Sequence, residues 1–342
     1  MDVKPGMLRP MEQTGRSTTV RTIAAETGLS IATVSRALND HANVAPATRR
    51  RIHDAVERLS RPATPARSGA IYVRCPYVLS DYFGLIVTSI AETLELHGRR
   101  LILNAGEASQ HTAVLPGLAN RPGLAGAIML LPPEPGAELV ALRAQGFPFV
   151  VVDPRTEPPR DIVAVSATHA AGARAVTDHL VKLGHRRIGV LSGPEDWLAT
   201  TARLAGHASA LAAVGVLPAP DLVRHGEPTI EYGYRAAGDL LDSELRPTAL
   251  VAFNDKAAVG ALAAAAQRGL RVPEDLSVTG FDDIDLARAT RPLLTTVRQP
   301  LAEMGRMAVT LLMRLVERHR LDALHLELAT ELVVRESTGP SH

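Results

Sequence analysis

The chain has 342 residues, of which 46% are hydrophobic and 21% charged, a composition that excludes a disordered polymer and suits two or three domains. Its net charge of +1 hides an asymmetry: residues 1–69 hold eleven basic against six acidic side chains, a net +5, so the remaining 273 residues carry −4. A basic head fits a polyanion, and the single Cys75 excludes an intrachain disulfide or a cysteine metal cluster.

Residues 1–17 lack periodicity and are read as a flexible N-terminal arm without the apolar core of a signal peptide. No apolar run approaches a membrane span, so a cytoplasmic protein with no membrane partner is expected. Residues 18–60 read as a helical unit. Thr19 is placed to cap a first helix with Val20, Ile23 and Ala24 on its inner face, and Gly28 permits a left-handed turn. Ser30 caps a second helix, Ile31–Leu38, with Val34, Ala37 and Leu38 expected inside. A third helix, about Ala47–Leu59, buries Ile52, Ala55, Val56 and Leu59. Two helices joined by a short glycine turn form the helix-turn-helix pattern. Arg49, Arg50 and Arg51 fall in the expected first turn of the third helix, where the helix dipole disfavours cations; an external anion such as phosphate would account for them.

Residues 61–69 contain two prolines and a glycine and read as a hinge linker. Beyond Ala70, short apolar runs alternate with amphipathic segments. The runs lie at Ala70–Val73, Arg100–Leu103, Gly126–Leu131, Phe149–Val152, Arg187–Leu191, Ala249–Phe253 and Leu276–Phe281. Apolar strands alternating with helices imply parallel sheets covered on both faces, here two doubly wound α/β lobes behind a small all-α head.

The stretch Val20–Ser30 followed by Ala32-Thr-Val-Ser-Arg-Ala-Leu-Asn39 resembles the head of the LacI/GalR repressor family. The segments His179–Ile188, Phe253–Gly260, Val272–Asp283 and Pro292–Gln299 resemble that family's regulatory half, which has the fold of periplasmic sugar-binding proteins. The resemblance implies that the second helix enters the major groove, with Ile31, Ala32 and Arg36 at base edges. It places Thr19, Thr33, Ser35 and Asn39 on the phosphate backbone, to which Arg49 and Arg50 add charge. It also implies an effector-binding and dimerisation region, 70–338, with one lobe at about 70–165 and 299–328 and the other at about 166–298 and 329–338. The linker departs from the family: Ala63 stands for an asparagine, and Gly69 stands where a leucine wedges into the minor groove. Weaker operator kinking is therefore expected.

Asn254-Asp255 and Asp282-Asp283 each follow an apolar strand, at the end where doubly wound sheets open on a ligand crevice. With Arg203 these groups suit a hydroxyl-rich or carboxylated small molecule. The resemblance points to Arg203, Asn254 and Asp282 as effector contacts; Asp255 and Asp283 are either contacts or helix caps. From the other lobe Tyr77, Phe83 and Asp153 are candidates, and His169 stands where relatives often have asparagine. Trp197 either packs or stacks on the ligand, and Leu301 occupies a position where several relatives have a ring.

No nucleophile elbow, His-Glu-x-x-His or phosphate loop is present, so neither an enzyme nor a cofactor or metal is expected. A periplasmic binding protein would explain the body but not the head, and a weakly specific nucleoid binder the reverse. The expected protein is an operator-binding homodimeric regulator, most simply a repressor, controlled by a carbohydrate-like effector.

Overall fold

The computed structural model describes residues 20–38, 44–60, 69–107 and 113–341, in two compact units divided between Ala66 and Arg67. The first unit contains helices α1 (Val20–Thr27), α2 (Ile31–Leu38) and α3 (Pro46–Ser60). Gly28 turns the chain between α1 and α2 at φ +66°, a conformation that costs a residue with a Cβ. Ser30 Oγ accepts the Thr33 N–H (3.2 Å), satisfying one of the orphan donors of α2. Ile23, Ala24, Val34, Ala37, Val44, Ile52 and Ala55 close the core. Leu38, expected inside, is 37% exposed, because it lies one position past the Val34–Ala37 stripe.

Helix α3 begins at Pro46, a residue preorganised for a first helical position. That start corrects the expected boundary: Arg49 alone of the three arginines falls in the first turn, and the dipole penalty fades beyond it. Thr19, Asn39, the arm 1–17 and linker residues 61–68 lie outside the described residues.

The second unit holds two six-stranded sheets. In the first the order is β11 (His325–Leu328), β5 (Val163–Ala167), β4 (Phe149–Val152), β3 (Leu124–Leu130), β1 (Ala70–Cys75) and β2 (Leu101–Ala105). Every pairing in it is parallel. Helices α4 (Asp81–Leu96), α5 (Leu115–Leu118), α6 (Gly136–Ala144) and α12 (Leu301–Val316) accompany it. The core on one face joins Ile86, Ile90 and Leu94 of α4 to Met304, Val309 and Leu312 of α12 over the strands.

The second sheet runs β12 (Glu331–Val333), β10 (Thr295–Arg298), β9 (Ser277–Asp282), β8 (Ala249–Ala252), β6 (Ile188–Ser192) and β7 (Val223–His225). Only its edge strand β12 is antiparallel. Helices α7 (His169–Lys182), α8 (Leu198–Ala212), α9 (Ile230–Leu241), α10 (Asp255–Gln267) and α11 (Leu286–Ala289) accompany this sheet. The chain crosses between sheets after β5, after β10 and after β11. Residues at or just past the carboxyl ends of β1, β4, β8 and β9 line one cleft between the sheets.

Gly69 explains one departure in the linker. It sits at φ +148°, and a Cβ there would lie 2.3 Å from the Gly123 carbonyl oxygen, which accepts the Ala70 N–H (2.8 Å) at the start of β1. Gly69→Leu is therefore expected to destabilise the two-sheet unit by about 2–4 kcal/mol rather than supply a wedge. Urea unfolding of the two-sheet unit checks this; an unchanged midpoint would refute it.

Candidate functional site

On the head, α2 presents Ile31, 53% exposed, with Ala32 and Arg36 also outside, while Thr33 and Ser35 are half-buried. Arg36 is folded back, its Nε donating to Ala32 O (3.1 Å). Arg49 and Arg50 line a shallow depression with His53 and Asp54 at the start of α3. The two arginines and the exposed face of α2 belong to one small unit.

Between the sheets of the second unit lies a cavity of about 430 Å³, lined by Tyr77, Phe83, Asp153, Arg203, Asn254 and Asp282 among the expected residues. One wall is a stacked pair, Tyr77 on Phe83 at 4.6 Å between ring centroids. Facing it from the other lobe, Trp197 meets Phe253 edge-on at 5.9 Å. Trp197 thus both packs and lines the cavity.

The polar floor is a chain of buried groups. Asp153 accepts from Tyr82 Oη (2.7 Å) through Oδ2 and from His169 Nε2 (2.7 Å) through Oδ1. His169 accepts at Nδ1 from Arg203 Nη2 (3.2 Å); arginine only donates, which leaves Nε2–H to donate to Asp153. His169 therefore orients Asp153 from behind and is not part of the cavity lining. Burial opposes ionisation of Asp153, but His169 and Tyr82 outweigh it and hold its carboxyl below the usual range. Arg203 lies between two rings, 4.2 Å from the Phe253 centroid and 3.7 Å from that of Phe281. Its Nη1 donates to Phe253 O.

Asp282 terminates β9 at φ +115° and is 6% exposed. Burial pushes its carboxyl up to about 7 against the pull of Arg203. Gln299 Nε2 donates to its Oδ1 (2.7 Å). Asn254 is largely committed: it caps α10 by accepting the Ala257 N–H (2.9 Å), and its Nδ2 donates to Pro228 O (3.1 Å). Asp255 is fully buried, accepting from Thr296 Oγ1 (2.5 Å) and Ile284 N (2.9 Å). Asp283 is gripped by Arg335 (2.5 Å) and Arg298 (2.8 Å). Neither aspartate is a cap or a cavity residue; both tie the sheet to its neighbours. Leu301 is buried in the first lobe's core.

Sequence reasoning did not single out Lys256, Glu227 and Glu231, which also line the cavity. Lys256 Nζ reaches across it to Ser80 Oγ (2.8 Å) on the other lobe. Its position one residue past Asn254-Asp255, in a chain with three lysines, was the available signal.

Residues 19–60 match the description "Bacterial regulatory proteins, lacI family", and residues 177–338 match "Periplasmic binding protein-like domain". The HTH-type transcriptional repressor CytR of Escherichia coli (strain K12) is 31% identical over 331 residues, 94% of this chain and 96% of the relative. The chain belongs to the LacI/GalR family. Among solved structures of LacI-family regulators, the complex of the transcriptional regulator CelR with cellobiose superposes with a TM-score of 0.73 at 30% identity, covering 93% of this chain and 99% of that one. The lac repressor dimer bound to operator and the anti-inducer ONPF gives 0.70 at 27%, covering 94% and 99%. LacI-family members are DNA-binding transcription regulators, not enzymes. Among the described residues no helix is long and apolar enough to cross a membrane.

Proposed function

We propose that this LacI-family regulator is a cytoplasmic, sequence-specific repressor whose operator affinity is set by a sugar or sugar derivative held between its lobes. The observation that carries the reading is the cavity itself: aromatic walls from both lobes close over a buried carboxylate at the carboxyl ends of two doubly wound sheets. A ligand there touches both lobes and so favours one angle between them, which is the differential binding that allosteric control requires.

A homodimer would read two half-sites about one helical turn apart. Its supporting surface is on the first lobe. The free edge strand β2 exposes Ile102 and Leu103, and α4 exposes Leu85 and Leu96. Thr19, Ile31, Ala32, Thr33, Ser35, Arg36, Asn39, Arg49 and Arg50 are the proposed DNA contacts.

The test separates base reading from charge. Arg36→Ala is expected to lose about 1–3 kcal/mol of discrimination between operator and mutated operator. Arg50→Ala is expected to weaken all sequences alike and to lower the slope of log affinity against log salt by about 1. Both are read by fluorescence anisotropy at several salt concentrations. Equal losses on specific and random DNA for Arg36→Ala would remove it as a base reader.

A further inference from the structure

The tyrosine hydroxyls of the cleft are spent as donors on the protein, whereas its acidic groups outnumber its two cationic side chains, Arg203 and Lys256. Tyr82 gives its hydroxyl hydrogen to Asp153, and Tyr77 donates to Leu131 O (3.0 Å). Asn254 and Arg203 each donate to a backbone carbonyl, and the guanidinium faces of Arg203 are covered by two phenyl rings, with its Nε buried and without a hydrogen-bond partner among the described residues. Lys256 is drawn to the opposite lip, bonded to Ser80 and 3.9 Å from Asp81 Oδ2.

The acidic side differs. Asp282 lines the cavity while more than nine-tenths buried, and its Oδ2 accepts no hydrogen bond from a described residue. Glu107, Glu227 and Glu231 line the opening, exposed and with no ion-pair partner among the described residues. Arg155 stacks on Trp197 at 5.4 Å but is not part of the lining.

Resting on the reading of this cleft as the effector site, we infer that the effector is an amino-substituted polyhydroxy ring, of the amino-sugar or aminocyclitol class. The ring lies between the Tyr77–Phe83 and Trp197–Phe253 walls. A hydroxyl donates to Asp282 Oδ2, and the ammonium faces the glutamates at the opening. A phosphate or carboxylate on the same ring would meet a lining in which Glu107, Asp153, Glu227, Glu231 and Asp282 outnumber Arg203 and Lys256, and that surplus counts against the carboxylated ligand that the residue types alone allow.

Trp197 is the chain's only tryptophan and lines the cavity, so its emission reports the local charge in the full-length protein. Quenching is compared in an Arg155→Gln background, which removes the neighbouring guanidinium. Caesium is expected to quench at least about twofold more strongly than iodide, relative to free N-acetyltryptophanamide, and adding Glu227→Gln and Glu231→Gln is expected to erase that preference. An iodide preference overturns the inference.

A ligand series then compares glucosamine and galactosamine with their N-acetyl derivatives, the parent hexoses and the uronic acids. The amines are expected to bind at least about fivefold more tightly than their N-acetylated or acidic counterparts. An acid that binds more tightly, and is lost when Ala199→Leu at a lining position fills the cavity, overturns the inference while leaving the cleft as the effector site. A compound that changes operator affinity and is indifferent to Ala199→Leu removes the cleft reading itself.

Discussion

Asp282→Asn is expected to give a protein that is more stable at pH 8 and no longer responds to its effector. Burial dominates the environment of Asp282 and pushes its carboxyl up to about 7, despite Arg203 and the Gln299 hydrogen bond. In the unfolded chain the same group titrates near 3.8. Because the folded value is the higher one, the stability associated with the neutral acid is complete below about 3.8. It is lost as the pH rises through about 7. Asparagine keeps the acceptor that Gln299 uses, tolerates a positive φ, and has no charge to bury. The gain at pH 8 should be about 2–4 kcal/mol and should vanish near pH 4.

The neighbouring Asp255 reinforces the direction. Its carboxyl is raised first by burial and then by the charge of Asp282, which the substitution removes. Urea unfolding at pH 4 and pH 8 checks the prediction; a gain equal at both values would show that packing, not ionisation, is responsible. The accompanying loss of effector response follows because Asp282 Oδ2 is the open acceptor at the bottom of the cavity. A stabilised protein that no longer switches is what a carboxylate kept for binding implies.

The head was legible because its signals are local. A cap at Ser30, a left-handed glycine at Gly28 and apolar spacing through Val34 and Ala37 act within a turn or two of helix. The alternating apolar runs likewise disclosed two wound sheets, since strands buried on both faces announce themselves by composition. The cleft was only partly legible. Sequence places polar pairs after β8 and β9, but which member of a pair faces the cavity depends on how the chain turns there. At Asp282-Asp283 both residues adopt positive φ, +115° and +57°. That turn sends Asp282 to the cavity and Asp283 to Arg298 and Arg335, the latter 52 residues further along.

The roles at Asn254-Asp255 are likewise divided by partners far along the chain, Pro228 for the asparagine, 26 residues away, and Thr296 for the aspartate, 41 residues away. His169 was placed near the effector by resemblance, whereas its ring is held between Asp153 and Arg203. Long-range pairing of buried polar groups leaves no periodic trace in a sequence.

Arg203→Ala is expected to unfold the two-sheet unit more readily, not merely to silence it. The side chain is enclosed by Phe253 and Phe281, ties Phe253 O to His169, and faces the carboxylates of Asp282 and Asp153. Burial lowers the guanidinium pKa, while those two carboxylates favour its charge. Removing it leaves a void between two rings and strands buried acids without their counter-charge, a change that costs about 3–5 kcal/mol. Arg203→Met fills most of the void, so what it still costs measures the lost charge. In that background Asp282 is deprived of its cation, and Asp282→Asn should stabilise by more than it does in the parent at the same pH. The excess, about 1–3 kcal/mol, is the coupling between the two groups. Denaturant unfolding of the parent, both single variants and the double variant at pH 8 gives it directly. Strict additivity would mean that Arg203 acts through packing and its hydrogen bonds alone, and the charge compensation assigned to it would be wrong.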